Sequence, residues 1–273
     1  MVILLDCAKM KKKINIEYAW LTSFVEQVAD ARYFEKEGCM IHSGRNILKI
    51  FSIDGVSVVV KRYGRITLIN RVLYALLRKS KAQRAYENAF ILRRLGIDTP
   101  EAVAYVECRS GLVMTSCSLV TLYSDWQPLS SLHAYRYGDS DKEVLIDALT
   151  CWIANLHDKG VEHKDLNIGN MLYAQDMSGG FRFMLLDINR MRFRQSMSIN
   201  RRLKNLCRLS GNTDLTNYVL GRYAEMMRHD RDETVMRGVF YKVMFEMRQK
   251  LKRRIRKIYR HNGNRCVSAA CDV

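Results

Sequence analysis

Asp165, Asn170 and Asp187 are the residues of this chain whose types and spacing could do chemistry. Asp165 and Asn170 lie five residues apart in His163-Lys164-Asp165-Leu166-Asn167-Ile168-Gly169-Asn170. Asp187 ends the apolar run Phe183-Met184-Leu185-Leu186 and is followed by Ile188-Asn189. Two carboxylates and an amide in this order suit phosphoryl transfer. That reaction asks for little covalent help, but it needs a carboxylate near the acceptor hydroxyl and oxygen ligands for Mg²⁺. An Asp and an Asn amide are hard oxygen donors of the kind Mg²⁺ prefers. Asp165 is therefore expected to orient and deprotonate an acceptor, and Asn170 and Asp187 to hold the metal.

A single Asp in a polar loop is ordinarily a turn residue or a helix cap. The joint pattern is much rarer, and its setting fits. Met171-Leu172-Tyr173 and residues 181–186 read as two strands joined by a turn at Gly179-Gly180. The offsets are those of the protein-kinase catalytic loop and of its metal-binding Asp. Such a site also needs a cation on the nucleotide phosphates. Lys61 ends the strand Val58-Val59-Val60 and matches the strand lysine of the Val-Ala-Ile-Lys pattern. Glu87 is expected to pair with it from a helix that packs through Ala85, Ala89, Leu92 and Leu95. Gly44, in Gly44-Arg45-Asn46, is the candidate for a nucleotide-covering loop, although no GxGxxG is present. His163 is expected to pin the loop to backbone rather than to move protons.

Elements that would position these residues follow from periodicity and turn signals. Residues 16–31 read as a helix or helix-like entry. Residues 45–53 and 56–63 read as strands about Asp54-Gly55. An apolar helix with Arg71 and Arg78 is expected over 66–78, and a polar helix over 80–95 ending at Gly96. Residues 101–108 and 112–123 form a hairpin about Arg109-Ser110-Gly111, and Trp126-Gln127-Pro128 is a connector. Helices follow over 141–159, 199–209, 214–228 and 234–260. The expected class is α+β and two-lobed. Residues 1–128 would form an N-terminal lobe with an antiparallel sheet and a helix, carrying the nucleotide lysine. Residues 129–273 would form a mainly helical lobe with the catalytic loop and the metal Asp.

Composition bounds the remaining possibilities. The chain has 273 residues, 48% of them hydrophobic, enough for a sizeable core. Lys and Arg number 45 against 28 Asp and Glu, a net charge of +17 that favours anionic partners. The 8 cysteines are scattered, with no CxxC and no zinc spacing, so reduced cytosolic thiols are expected. Met1 to Leu5 is too short for a signal peptide, and no run approaches the roughly 18 apolar residues of a membrane span. A cytoplasmic protein is expected. No zinc pattern, RNP-type aromatic motif or helix-turn-helix supports a nucleic-acid binder.

With these residues placed, the chain resembles the bacterial lipopolysaccharide core kinases. The matching text is Val59-Val60-Lys61-Arg62-Tyr63, the apolar-basic helix after it, Glu87 to Gly96, residues 163–172, and Leu186-Asp187-Ile188-Asn189-Arg190. It covers roughly residues 40–210. The resemblance implies a protein-kinase-like fold, ATP, Mg²⁺ and a lipid-anchored sugar acceptor, heptose or deoxy-manno-octulosonic acid (Kdo) of the lipid A–core. It implies Asp165 as base, Asn170 and Asp187 on metal, and Lys61 on nucleotide. The chain departs from the protein-kinase patterns at Lys164, at Asn189 in place of Gly, and in lacking Ala-Pro-Glu. Alternatives are a protein or aminoglycoside-type kinase on the same fold, and a basic pseudokinase. In the last helix, Phe240, Val243, Met247, Leu251, Ile255 and Ile258 form an apolar stripe expected to pack on the helical lobe, while the crowded basic face could meet an anionic membrane. Arg190, Arg192 and Arg194 either hold a substrate anion or pair with acidic neighbours.

Overall fold

The computed structural model describes residues 9–64, 79–111 and 113–268, with side chains through Arg256. The helix expected at 66–78 lies outside the described residues. Two compact units are present. The first holds residues 1–128 together with His163–Asp165 and Gly169–Phe193, and the second holds the rest.

The first unit is built on a six-stranded antiparallel sheet. Its strands are β1 (Lys9–Ile14), β2 (Cys39–Ser43), β3 (Asn46–Ile53), β4 (Val56–Tyr63), β5 (Ala102–Ser110) and β6 (Val113–Leu122), in the order β1-β5-β6-β4-β3-β2. β3 and β4 turn at Asp54 (φ 48°) and Gly55 (φ 80°). Two successive positive φ values match the twist of a tight hairpin, and Asp-Gly supplies them at low cost. The edge strands β1 and β2 escape the periodicity reading. β1 is Lys-Met-Lys-Lys-Lys-Ile and mostly exposed, and β2 is exposed throughout. Lysines on an edge discourage pairing with other chains and erase the apolar alternation that marks a strand.

β4 alternates, so its two faces do different work. Val58 and Val60 point into a core with Phe24, Val25, Val28, Phe34 and Phe51. This core lies under α1 (Thr22–Ala29) and α2 (Ala31–Lys36). The helix or helix-like entry expected over 16–31 is a 3₁₀ turn, Ile16–Leu21, followed by these two helices. Asp30 breaks them: its backbone is extended, and its carboxylate accepts from the N–H groups of Arg32 (2.6 Å) and Tyr33 (3.0 Å). An N-cap of this kind starts a helix and thereby ends the one before. Lys49 is buried at the other end of α2, where its ammonium donates to the carbonyls of Glu35 and Glu37.

The opposite face of β4 carries Val59, Lys61 and Tyr63, on the side of α3 (Lys81–Arg94). Ser80 caps α3 through the Gln83 N–H, and Gly96 (φ 65°) follows its end in the left-handed conformation that favours glycine. The short strand β8 (Val161–His163) leads into the catalytic loop, and a three-stranded sheet in the order β10 (Phe181–Leu185), β9 (Met171–Gln175), β7 (Gln127–Pro128) completes the unit. The sequence assigned the catalytic loop and Asp187 to a second lobe. In the structure Asp187 and the loop residues His163–Asp165, Gly169 and Asn170 group with the first unit, while Leu166–Ile168 group with the second; β9 pairs with β7 and the Leu185 carbonyl accepts from Thr99 Oγ1 (2.8 Å).

The second unit contains α4 (Ser140–Asp158), α5 (Ile199–Leu206), α6 (Thr213–Met226) and α7 (Arg231–Ser268). His157 is buried between the Tyr223 hydroxyl (2.9 Å) and Asn205 Oδ1 (3.2 Å), and burial pushes it down to about 4, so the imidazole is neutral at physiological pH. α7 packs through Thr234, Gly238 and Lys242, not through its apolar stripe. Lys242 is buried and donates to the Ser210 carbonyl (2.5 Å) and Thr216 Oγ1 (3.1 Å), while a Cβ on Gly238 would meet Leu220. Met236, Phe240, Val243, Met247, Leu251 and Ile255 are exposed, and Ile258 lies beyond the described side chains. The expectation that this stripe packs on the helical lobe is overturned. A small residue and a fully bonded lysine seat the other face more closely than large apolar side chains would.

Candidate active site

The site begins with a hairpin register. Leu185 pairs with Met171, and the Leu186 N–H continues the ladder to the Asn170 carbonyl (2.9 Å). That register brings Asn170 and Asp187 together at one end of β9 and β10. His163 locks the preceding loop. Its Nε2–H donates to the Leu186 carbonyl (3.0 Å) and its Nδ1 accepts from the Asp165 N–H (3.1 Å). Burial pushes its pKa down, which favours this neutral tautomer, and the ring ties the Asp165 loop to Leu186. The role expected for His163 is the one observed. The Asn170 amide nitrogen donates to the Asp165 carbonyl (2.9 Å), which leaves its amide oxygen for another partner.

Asp187 has a left-handed backbone (φ 52°, ψ 41°). This region is open chiefly to Gly, Asn and Asp, and a residue held there outside a loop tip marks a functional site more often than most positions do. Its Oδ1 accepts from Lys61 Nζ (2.5 Å) and from Asn189 Nδ2 (2.7 Å). Burial pushes the carboxyl up, and the charge and hydrogen bond of Lys61 outweigh this, holding it below the usual carboxylate range. Asn189, where the kinase pattern has Gly, thus orients the carboxylate. The following turn is tied to α3 by Asn88, whose amide donates to the Ile188 carbonyl (2.7 Å).

Lys61, Asn170 and Asp187 line one cavity of about 440 Å³. Strands contribute Ile41, His42, Leu48, Val59 and Lys61; α3 contributes Ala85 and Ala89; the hairpin contributes Leu172, Leu186, Asn170 and Asp187. An apolar pocket with a few convergent polar groups at one end suits a ligand with a flat apolar part and a charged part. Asp165 is half-buried at the loop that leads to Asn170. Lys61 and Lys81 both lie over the Tyr63 ring, at 5.4 and 5.8 Å from its centroid. Lys81 was not picked out in the sequence. Burial, then the charge of Arg45, push its pKa down.

Two expectations do not hold. Glu87 does not reach Lys61. Its carboxylate accepts from Lys79 (2.7 Å) and Gln83 (3.0 Å), and α3 presents Ala85 and Ala89 to the cavity instead. Positions two residues from Ala85 and from Ala89 fall on the far side of a helix with 3.6 residues per turn. Gly44 sits at the turn between β2 and β3, and the cavity is lined by its neighbours Ile41, His42 and Asn46. The glycine that matters there is Gly64. A Cβ on it would overlap the Arg45 carbonyl oxygen, and its N–H donates to Asn46 Oδ1 (3.3 Å), so the β2–β3 turn is clamped to the end of β4.

A strand lysine ion-paired to an Asp at the end of a hairpin, beside an Asp–Asn loop on an antiparallel sheet, defines a phosphotransferase of the protein-kinase-like class. The model of the lipopolysaccharide kinase (Kdo/WaaP) family matches residues 44–227, more than half of the sequence, and the chain belongs to that family. It is 22% identical over 169 residues to a 3-deoxy-D-manno-octulosonic acid kinase of Vibrio vulnificus (strain YJ016), covering 59% of this chain and 70% of that protein. The solved structure of WaaP in complex with acyl carrier protein superposes with a TM-score of 0.57 at 17% identity, over 88% of this chain and 98% of the WaaP-complex chain it matches. At that identity the likeness is one of fold.

Proposed function

We propose that this kinase uses ATP to phosphorylate a sugar hydroxyl of the lipopolysaccharide inner core, with Kdo the first acceptor to test and heptose the second. The observation that carries the reading is the convergence of Lys61, Asn170 and Asp187 at the polar end of one apolar cavity, with Asp165 in the adjoining loop. The similarity to a Kdo kinase supports the choice of acceptor.

In this reading the adenine lies against Leu48, Val59, Leu172 and Leu186, and Lys61 holds the phosphates. Asn170 Oδ1 and the Asp187 carboxylate fit Mg²⁺, since both are hard oxygen donors facing the cavity. The ion would neutralise charge on the phosphates. Lys61 exchanges part of its contact with Asp187 for nucleotide oxygens. Asp165 accepts the proton of the acceptor hydroxyl as that oxygen attacks the terminal phosphorus, and ADP leaves. The acceptor is lipid-anchored, so the enzyme works at a membrane surface, on the cytoplasmic side where ATP is available. No described helix is long and apolar enough to cross a membrane.

Purified chain, ATP and Mg²⁺ should add one phosphate to Kdo-bearing lipid A, located on the sugar by fragmentation mass spectrometry. Transfer to a heptose-bearing core alone would move the acceptor to heptose. Transfer only to peptides or aminoglycosides would end the lipopolysaccharide reading. Glu87, bound to an exposed lysine, has no part in this chemistry. Glu87→Gln should therefore hold kcat within about twofold of wild type, as expected for loss of a partly exposed ion pair. A loss of a hundredfold would return Glu87 to the site.

A further inference from the structure

The exposed side of α7 has features the active site does not explain. Met236, Phe240, Val243, Met247 and Leu251 recur every three or four residues and so share one side of the helix. Met236 is 68% and Phe240 59% exposed, unusual for side chains of this size. The face is fixed in orientation, because Thr234, Gly238 and Lys242 on the opposite side are buried. At a rise of about 1.5 Å per residue the stripe runs roughly 22 Å.

The stripe leads into a cationic segment. Arg248, Lys250, Lys252, Arg253, Arg254 and Arg256 are all exposed, and no acidic residue lies between Met247 and Arg256. None of the six makes an ion pair among the described residues. The acids earlier on the helix are engaged or distant: Glu233 pairs with Arg237 (2.8 Å), Glu246 lies 3.5 Å from Lys242, and Asp232 is in the first turn. Residues 251–256 are exposed on every side of the helix.

We propose that this face of α7 is a membrane-docking surface, its apolar stripe inserted among acyl chains and its basic segment on anionic lipid headgroups. An amphipathic helix with large apolar side chains and a lysine- and arginine-rich flank binds in the plane of the interface in this way. A bilayer interface is apolar below and anionic above, and it complements both parts of the helix at once. A second copy packed in parallel would instead set one cationic segment against another. The surface deepens the kinase reading by giving the enzyme a seat beside a lipid-anchored acceptor, but vesicle binding itself does not depend on that reading.

The test is flotation of the full chain with phosphatidylcholine vesicles, with and without phosphatidylglycerol. Wild type should float with the anionic vesicles and release at high salt. Phe240→Ser/Met247→Ser and Arg253→Glu/Arg254→Glu should each weaken binding by about tenfold or more. All four positions are exposed, so unchanged circular dichroism and sedimentation are expected. Both variants should retain ATP turnover on a detergent-dispersed acceptor and lose it on a vesicle-borne one. Failure of turnover alone, with vesicle binding intact in wild type and weakened in the variants, would count against the kinase reading and leave the docking surface standing. No binding to anionic vesicles, or binding that neither variant weakens, would overturn the docking surface. So would a dimer that Phe240→Ser/Met247→Ser dissolves, which would assign the face to a second copy.

Discussion

Asp165→Ala should lower kcat by about 10²–10⁴, the range that a positioned proton acceptor contributes, and leave nucleotide affinity unchanged. The separation of the two effects follows from how the loop is held. His163 Nδ1 accepts from the backbone N–H of Asp165, and the Asn170 amide donates to its backbone carbonyl. Neither bond uses the carboxylate. Truncation leaves both backbone bonds available to the loop, so its effects on placement and on chemistry can be read apart. Steady-state kinetics with a saturating sugar acceptor, paired with a nucleotide titration by calorimetry, separates the two quantities. An alanine enzyme with near-native kcat would remove Asp165 from the mechanism. A parallel collapse of nucleotide affinity would show that the side chain builds the site instead of acting in it.

Replacement of Asp187 should have the other large effect, and on two properties at once. Asp187→Ala is expected to abolish metal-dependent nucleotide binding and to destabilise the fold. Lys61 and Asp187 keep side-chain exposures of 17% and 20%, so the pair is mostly buried. Breaking a buried pair leaves its partner uncompensated at a cost of about 3–5 kcal/mol, and this residual exposure places the expected value at the low end. Alanine in the left-handed conformation adds roughly 1–2 kcal/mol. Asp187→Asn avoids the second cost, since Asn adopts that backbone and keeps an acceptor for Asn189. Urea midpoints should therefore fall in the order wild type, Asn, Ala, with both variants inactive. Equal midpoints for the two variants would show that the backbone at 187 is not strained. The pair's contribution also has a defined pH range. The folded carboxyl lies below its ordinary 3.8, so the stabilisation is present above that value and is lost as pH falls below it, through the lower folded pKa.

Whether Lys61 meets a glutamate or only Asp187 also bears on how the enzyme is poised. With Glu87 turned to Lys79, the acid paired with Lys61 is the same carboxylate proposed for the metal. In the proposed mechanism, nucleotide and metal binding would then redistribute one ion pair, not add to a pre-existing second one. That makes Asp187 the residue on which binding, stability and chemistry meet.

Much of this site was legible in the sequence because its key spacings are local. Five residues separate Asp165 from Asn170, and a short hairpin carries the chain from Asn170 to Asp187, so strand register alone brings these groups together. Lys61 was legible for a similar reason, since it ends an unbroken valine run. The tight turn at Asp54-Gly55 and the end of α3 at Gly96 were written in residue types that tolerate positive φ. Tertiary structure decided what periodicity leaves open, namely which side of an element faces inward. α3 has small apolar residues at 85 and 89 and its single carboxylate at 87, and only packing on the sheet turned the alanines to the cavity and Glu87 away. In α7 the apolar stripe suggested burial, yet Gly238 and Lys242 provided the closer, fully bonded contact and left the stripe exposed. The edge strands β1 and β2 carry no inward face of their own pattern, so their place came from the pairing with β5 and β3. Local spacing fixes which groups can meet along a loop or hairpin. The facing of a helix or an edge strand is a free-energy choice made by distant partners, and no window of sequence contains it.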